Sequence, residues 1–193
     1  MAIVPAGTEF PVGVKLPPGF DPEDLSTWPD DPGRFEYVDG RLLYMPPCGD
    51  VQQDVTADAV FVLRSWSESH SDFVVGGNEA GVAFGRDKRG IDAAVWKRAT
   101  LGPRTGGFRR VPPLLAVEVA GQNEDEALLL DKAQWYLAHG VTIVWLVLPE
   151  TREVVVLMGE QESRYRMGQR LAPHDALPDL APGVADFFRQ LRS

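Results

Sequence analysis

The chain has a single cysteine, Cys48, so no internal disulfide can form and nothing points to a cystine-braced secreted scaffold. Cys48 follows Pro46-Pro47 and reads as a small loop residue. Only three histidines occur, His70, His139 and His174, and their scatter argues against a zinc site. No run of about 18 apolar residues is present, which excludes a membrane-spanning helix. The opening MAIVPAGTEFPVGVKLPPGF lacks a basic start followed by an apolar stretch, so it does not read as a signal peptide. With these features missing, the expected location is cytoplasmic. Positive charge is also scarce. The net charge is −9, a balance that taken whole argues against nucleic acid.

The few basic residues are unevenly placed. Residues 86–110 hold eight of the 19, namely Arg86, Lys88, Arg89, Lys97, Arg98, Arg104, Arg109 and Arg110, against two acids, Asp87 and Asp92. That window is +6 and the remainder −15. A basic segment of this kind can grip a phosphate backbone; it can equally be a solvated loop.

The 193 residues, 44% of them hydrophobic, suit one domain with a substantial core. Residues 1–34 are proline-rich and read as an irregular arm, with a short helix over Pro22–Trp28 capped by Asp21. A single domain over 35–193 follows. It starts with a hairpin whose two strands flank Asp39-Gly40, a strong turn signal. Apolar residues at helical spacing predict a helix over 50–68. Phe73–Val75, Gly81–Phe84 and Ile91–Trp96 read as three strands, and Leu101–Pro113 as a loop. Leu114–Ala120 reads as a buried strand, Glu124–His139 as a helix closed by Gly140, and Val141–Leu148 as another strand. A second hairpin spans Glu153–Leu157 and Ser163–Met167, and Val184–Leu191 reads as a terminal helix. Strand, helix and strand over 114–148 predict a parallel pair with a crossover. The expected fold class is therefore α/β or α+β, with a mixed sheet covered by helices.

Three charged residues sit on elements that should be apolar. Glu118 lies inside the strand Leu114–Ala120, sharing a face with Ala116 and Ala120, whose small side chains leave room beside its carboxylate. Lys132 falls on an apolar helical face with Leu128, Leu129, Trp135 and Tyr136. Asp92 lies near the start of Ile91–Trp96, beside Ala94. A dull explanation exists for each: a backbone-bonded glutamate, a snorkelling lysine, a strand-entry aspartate. Taken together they are harder to dismiss, because the helix carrying Lys132 follows the strand carrying Glu118 and packs on the same sheet, giving each charge a partner. Two carboxylates and a lysine on core elements are a minimal kit for metal-assisted hydrolysis of a phosphodiester. Glu36, ahead of the Asp-Gly turn, reads as an ordinary exposed hairpin glutamate.

The segments Phe35–Gly40, Gly90–Val95, Val117–Val119, Asp131-Lys132 with Tyr136, Gly140-Val141 and Trp145-Leu146-Val147 resemble, in order and spacing, the Uma-type restriction endonucleases of the PD-(D/E)XK nuclease superfamily. The resemblance covers roughly residues 20–190. It implies a restriction-endonuclease-like core and cleavage of DNA with Mg²⁺ (or Mn²⁺). It matches Asp92 and Glu118 to the metal-holding acids, Lys132 to a lysine moved from the strand to the following helix, and Glu36 to an acid of the amino-terminal hairpin. Ala120 stands where the superfamily's usual lysine would be, Ile91 replaces the family's proline, and Val51 stands where a histidine is common, with Gln52 and Gln53 as weak substitutes. On this reading Asp92 and Glu118 hold Mg²⁺, Lys132 orients water or steadies developing charge, and Glu36 reaches the metal through water. Arg104, Arg109 and Arg110 position the DNA backbone, and a homodimer would serve to cut two strands. Two alternatives stay open: a nuclease fold without turnover that acts as a binding or assembly protein, and a structural protein in which Lys132 only neutralises Glu118. A carboxylate-pair glycosidase fits less well, since it leaves Lys132 and the basic segment without a role.

Overall fold

The computed structural model describes residues 10–122 and 124–191; of the arm expected over 1–34, residues 1–9 lie outside the described residues. The centre is a parallel pair, β6 (Leu115–Val119) and β7 (Ile143–Leu148), joined by the crossover helix α2 (Glu126–Ala138). Both faces of this pair are covered, which explains why its strands read as continuous apolar runs. Leu115, Val117, Val119, Trp145 and Val147 pack on one side against α1 (Asp50–Ser67) and the 3-10 turn Val184–Phe188. Ala116, Val144 and Leu146 pack on the other side against Leu129, Ala133 and Tyr136 of α2.

The remaining strands are antiparallel. The hairpin β2 (Arg34–Val38) and β3 (Arg41–Met45) turns on Asp39 and Gly40, both at positive φ (50° and 76°), as a type I′ turn requires. On the far side β8 (Glu153–Met158) and β9 (Gln161–Arg166) extend the sheet from β7. Between β2 and β6 runs β5 (Asp87–Lys97), whose other edge pairs with β4 (Phe73–Phe84). It meets β2 only at Tyr37↔Lys88 and β6 only over Ala93–Val95. The sheet therefore forks, and β5 residues 89–92 lie in the fork with no strand partner on that edge among the described residues. The candidate site forms here.

Several expectations need correction. Phe73–Val75 and Gly81–Phe84 belong to one strand, interrupted by a bulge at Asn78-Glu79. Two successive non-glycine residues at positive φ (56° and 54°) carry that bulge, a conformation that single-residue propensities do not foresee. The helix over 22–28 is only a 3-10 turn, Leu25–Thr27, capped by Asp24 rather than Asp21. Val184–Leu191 likewise shortens to a 3-10 turn over Val184–Phe188, because Val184, Phe187 and Phe188 are drawn into the core by α1 and Trp145. The arm contributes an edge strand, β1 (Val12–Val14), paired with β3. On α2 the inward face is Leu129, Ala133 and Tyr136, whereas Leu128 is exposed. No helix among the described residues is long and apolar enough to cross a membrane.

Leu146 is fully buried at the centre of the sheet. Leu146→Ala is expected to lower the unfolding free energy by about 3 kcal/mol in urea denaturation, the usual cost of an unfilled core cavity.

Candidate active site

Alternation along β6 turns Glu118 to the α2 side with Ala116, where a helix one crossover later lays its inner face. Lys132 and Tyr136 are one turn apart on that face, so both reach the same carboxylate. The Lys132 ammonium donates to Glu118 Oε2 at 2.9 Å, and the Tyr136 hydroxyl donates to Glu118 Oε1 at 2.7 Å. The room left by the alanines is filled by these two side chains. Tyr136, named above only as part of a motif, is thus a member of the cluster; its signal in the sequence was its place four residues after Lys132.

Glu36 joins from β2. It is 3% exposed, so the reading of an exposed hairpin glutamate is wrong. Its Oε1 lies 3.3 Å from the Lys132 ammonium and accepts from the Gly90 N–H at 3.2 Å. Its Oε2 pairs with Arg89 at 2.6 Å, and the Arg89 guanidinium lies over the Trp135 ring. The fork accounts for this arrangement. Gly90, without a strand partner on that edge, has its N–H satisfied by Glu36 and its carbonyl within 3.2 Å of the Tyr136 hydroxyl.

Asp92 lies two residues further along β5, 3% exposed. Its Oδ2 accepts from the backbone N–H of Val119 at 2.8 Å, which anchors it beside Glu118 across the β5–β6 pair. Its Oδ1 lies 3.8 Å from the Arg34 guanidinium, which is bonded at 2.7 Å to Glu79 on the β4 bulge. Gln52, at the start of α1, donates to the Val119 carbonyl at 2.9 Å. Val51, aligned with the family's histidine, is exposed, and Gln52 is the residue of that turn that touches the site.

The charges are strongly coupled. Burial, then the charge of Glu118 and that of Glu79, push Asp92 well above the usual aspartate range. Burial lifts Glu118 to about 7; Lys132 and Tyr136 oppose this and Glu36 adds to it. Burial disfavours the Lys132 ammonium, but Glu118 and Glu36 outweigh it and hold Lys132 above its ordinary value. Burial, followed by Glu118 and Glu36, raises the Tyr136 hydroxyl, which stays a donor.

The donor set suits a hard divalent cation. Asp92 and Glu118 offer carboxylate oxygens only, and Asp92 Oδ1 accepts no hydrogen bond among the described residues. Both carboxyls are raised by burial, a cost that a dication would offset. Asp92 and Glu118 are therefore the residues that could hold one.

Arg104, Arg109 and Arg110 form a separate group. Arg109 lies over the Trp96 ring and Arg110 pairs with Glu23. None of the three lines the clefts beside Lys132 and Asp92.

A family model described as "Uma2: Putative restriction endonuclease" matches residues 22–186. No curated protein matches the chain. Among solved structures it is similar to one from Anabaena variabilis ATCC 29413, described as "a putative nuclease belonging to DUF820". The two are 17% identical with a TM-score of 0.76, and the match covers 90% of this chain and 99% of that one. Such a likeness shows the fold, the restriction-endonuclease-like one.

The raised carboxyls predict how stability varies with pH. A carboxyl whose folded pKa lies above its unfolded value binds more protons in the folded state, so stability is full below the unfolded pKa and is lost as pH rises through the folded one. For Glu118 that window runs from 4.5 to about 7, and Asp92 acts in the same direction. In EDTA, the unfolding free energy measured in urea should fall across this window, and Glu118→Gln should flatten the decline. A wild-type curve that rises with pH there would contradict the raised Glu118.

Proposed function

The chain belongs to the Uma2 family, and from that premise we propose that it is a metal-dependent nuclease that hydrolyses DNA phosphodiester bonds. The observation that carries the reading is the convergence, at the fork of the sheet, of the Glu118 carboxylate, the Lys132 ammonium and the Tyr136 hydroxyl, with Asp92 anchored beside them by Val119. A purely structural pair would need one acid for one lysine. Here two further buried acids, Glu36 and Asp92, act on the same ammonium, and with Glu79 the cluster sets four acids against Lys132, Arg89 and Arg34.

Asp92 and Glu118 would hold Mg²⁺ or Mn²⁺, which supplies Lewis-acid charge to polarise the phosphoryl group. The chain's own groups do the rest. Lys132, kept protonated by Glu118 and Glu36, can only donate: it orients the attacking water or steadies charge on the phosphoryl oxygens. Tyr136 fixes the rotamer of Glu118, so the carboxylate is set before substrate arrives. Glu36, itself held by Arg89 and the Gly90 N–H, positions Lys132 from the far side. Arg104, Arg109 and Arg110 would act at longer range, drawing the phosphate backbone toward a protein that is otherwise acidic. Cutting both strands in one encounter would call for two copies of the chain.

With Mg²⁺ or Mn²⁺, the purified protein should nick supercoiled plasmid. Asp92→Ala, Glu118→Gln and Lys132→Ala should each lower the rate by at least about 10²-fold, the usual cost of removing one catalytic donor or base. Equal nicking by all four proteins would mark a contaminant. Mn²⁺ binding that is lost in Asp92→Ala, without cleavage by the wild type, would instead mark a binding or assembly protein built on a nuclease fold.

A further inference from the structure

Two clefts flank the cluster. That on the Lys132 side, about 330 Å³, is lined by four carboxylates, those of Glu36, Asp39, Glu124 and Asp131, and by three cations, Arg41, Arg89 and Lys132. Acids outnumber cations there, so its charge does not favour a further nucleotide. The other cleft, about 720 Å³, lies between α1 and the β4 bulge and has Asp92 on its wall. Its carboxylates are only Glu79, already tied to Arg34, and Asp92 itself. Its cations are Arg34 and Arg64.

Donors there are unspent. Arg34 makes one hydrogen bond, to Glu79, and its buried Nε has no partner among the described residues. Neither does the buried Thr56 hydroxyl on the same wall. Above them α1 presents Val60 and Phe61, and Phe61 is 55% exposed with the Arg189 guanidinium 5.7 Å from its ring centre. An exposed aromatic ring among arginines, on a rigid helix and beside a candidate cation site, is a stacking platform for a base. In a duplex the bases are stacked inside and would not reach it; an unpaired base would. The volume is of the order of sites that bury a small ligand.

Resting on the nuclease reading, we infer that this cleft seats one unpaired nucleotide next to the scissile phosphate. Its phosphate lies on Arg34 and Arg64 and its base against Phe61, so the preferred substrate is single-stranded DNA.

The test is fluorescence anisotropy with labelled oligothymidylate and a blunt duplex of equal length, with Ca²⁺ replacing Mg²⁺. The wild type should bind the single strand at least about tenfold more tightly than the duplex. Phe61→Ala should weaken single-strand binding about tenfold. Arg64→Gln should lower the slope of log affinity against log salt by about 0.7, as for one phosphate contact. Both side chains are exposed, so both variants should keep the wild-type melting temperature. Equal affinity for duplex and single strand, or unchanged binding by both variants, overturns the inference while Asp92-dependent plasmid nicking still upholds the nuclease. Absence of binding to either DNA overturns the inference as well, and the nuclease reading falls with it only where Asp92-dependent nicking is also absent.

Discussion

An ammonium held 2.9 Å from a buried carboxylate where a helix covers a sheet is an expensive arrangement, and much of the fold's local detail follows from accommodating it. Neither Lys132 nor Glu118 survives burial alone, since an unpaired charge in such a place costs several kcal/mol. Replacing such a pair by well-packed apolar side chains is often neutral or stabilising, so stability alone is a weak account of these ions. The surroundings point the same way: Tyr136 takes the second oxygen of Glu118, and Glu36 takes the open side of Lys132. Four acids, Glu36, Glu79, Asp92 and Glu118, stand against three cations, Arg34, Arg89 and Lys132, an imbalance that a further cation would remove.

The sheet provides this place by failing to close. If β2 paired with β5 along its length, Gly90 would spend its backbone groups on a ladder and no notch would exist. The single Tyr37↔Lys88 bridge lets the strands diverge, and Glu36 then accepts from the freed Gly90 N–H while the Lys132 ammonium and Tyr136 hydroxyl approach its carbonyl. On the opposite edge of β5, the bulge at Asn78-Glu79 sits where the register skips from Gly77↔Ala93 to Ala80↔Ile91, directly across from Asp92. Its two left-handed residues cost roughly 1–3 kcal/mol each and bring the Glu79 carboxylate to the Arg34 that also faces Asp92. Strain, an incomplete ladder and buried charge all gather at one spot of a sheet that is elsewhere regular.

The readable parts of this architecture were those set by local chemistry. Asp39-Gly40 declared its turn, the apolar alternation of 115–119 declared which face Glu118 would share with Ala116, and the crossover placed Lys132 above it. Charge on an apolar element was the signal for Asp92, Glu118 and Lys132. Glu36 had no such signal, because its burial comes from Arg89 and Gly90, more than fifty residues away. The fork and the bulge were hidden for the same reason: both are properties of register between distant strands, and a slip of two residues keeps every side chain on its own face. The terminal segment misled in another way. Val184, Phe187 and Phe188 have helical spacing, but core packing satisfies them within a single 3-10 turn.

Because burial and neighbouring acids raise the Asp92 and Glu118 carboxyls, a dication held by them must expel protons from the fraction that is protonated below neutral pH. Titration calorimetry with Mn²⁺ at pH 6, repeated in two buffers of different ionisation enthalpy, measures that directly. Buffer-dependent heats from proton release in the wild type, abolished in Asp92→Ala and reduced in Glu118→Gln, are the predicted result. Binding with no proton release, or heats unchanged in both variants, would contradict it.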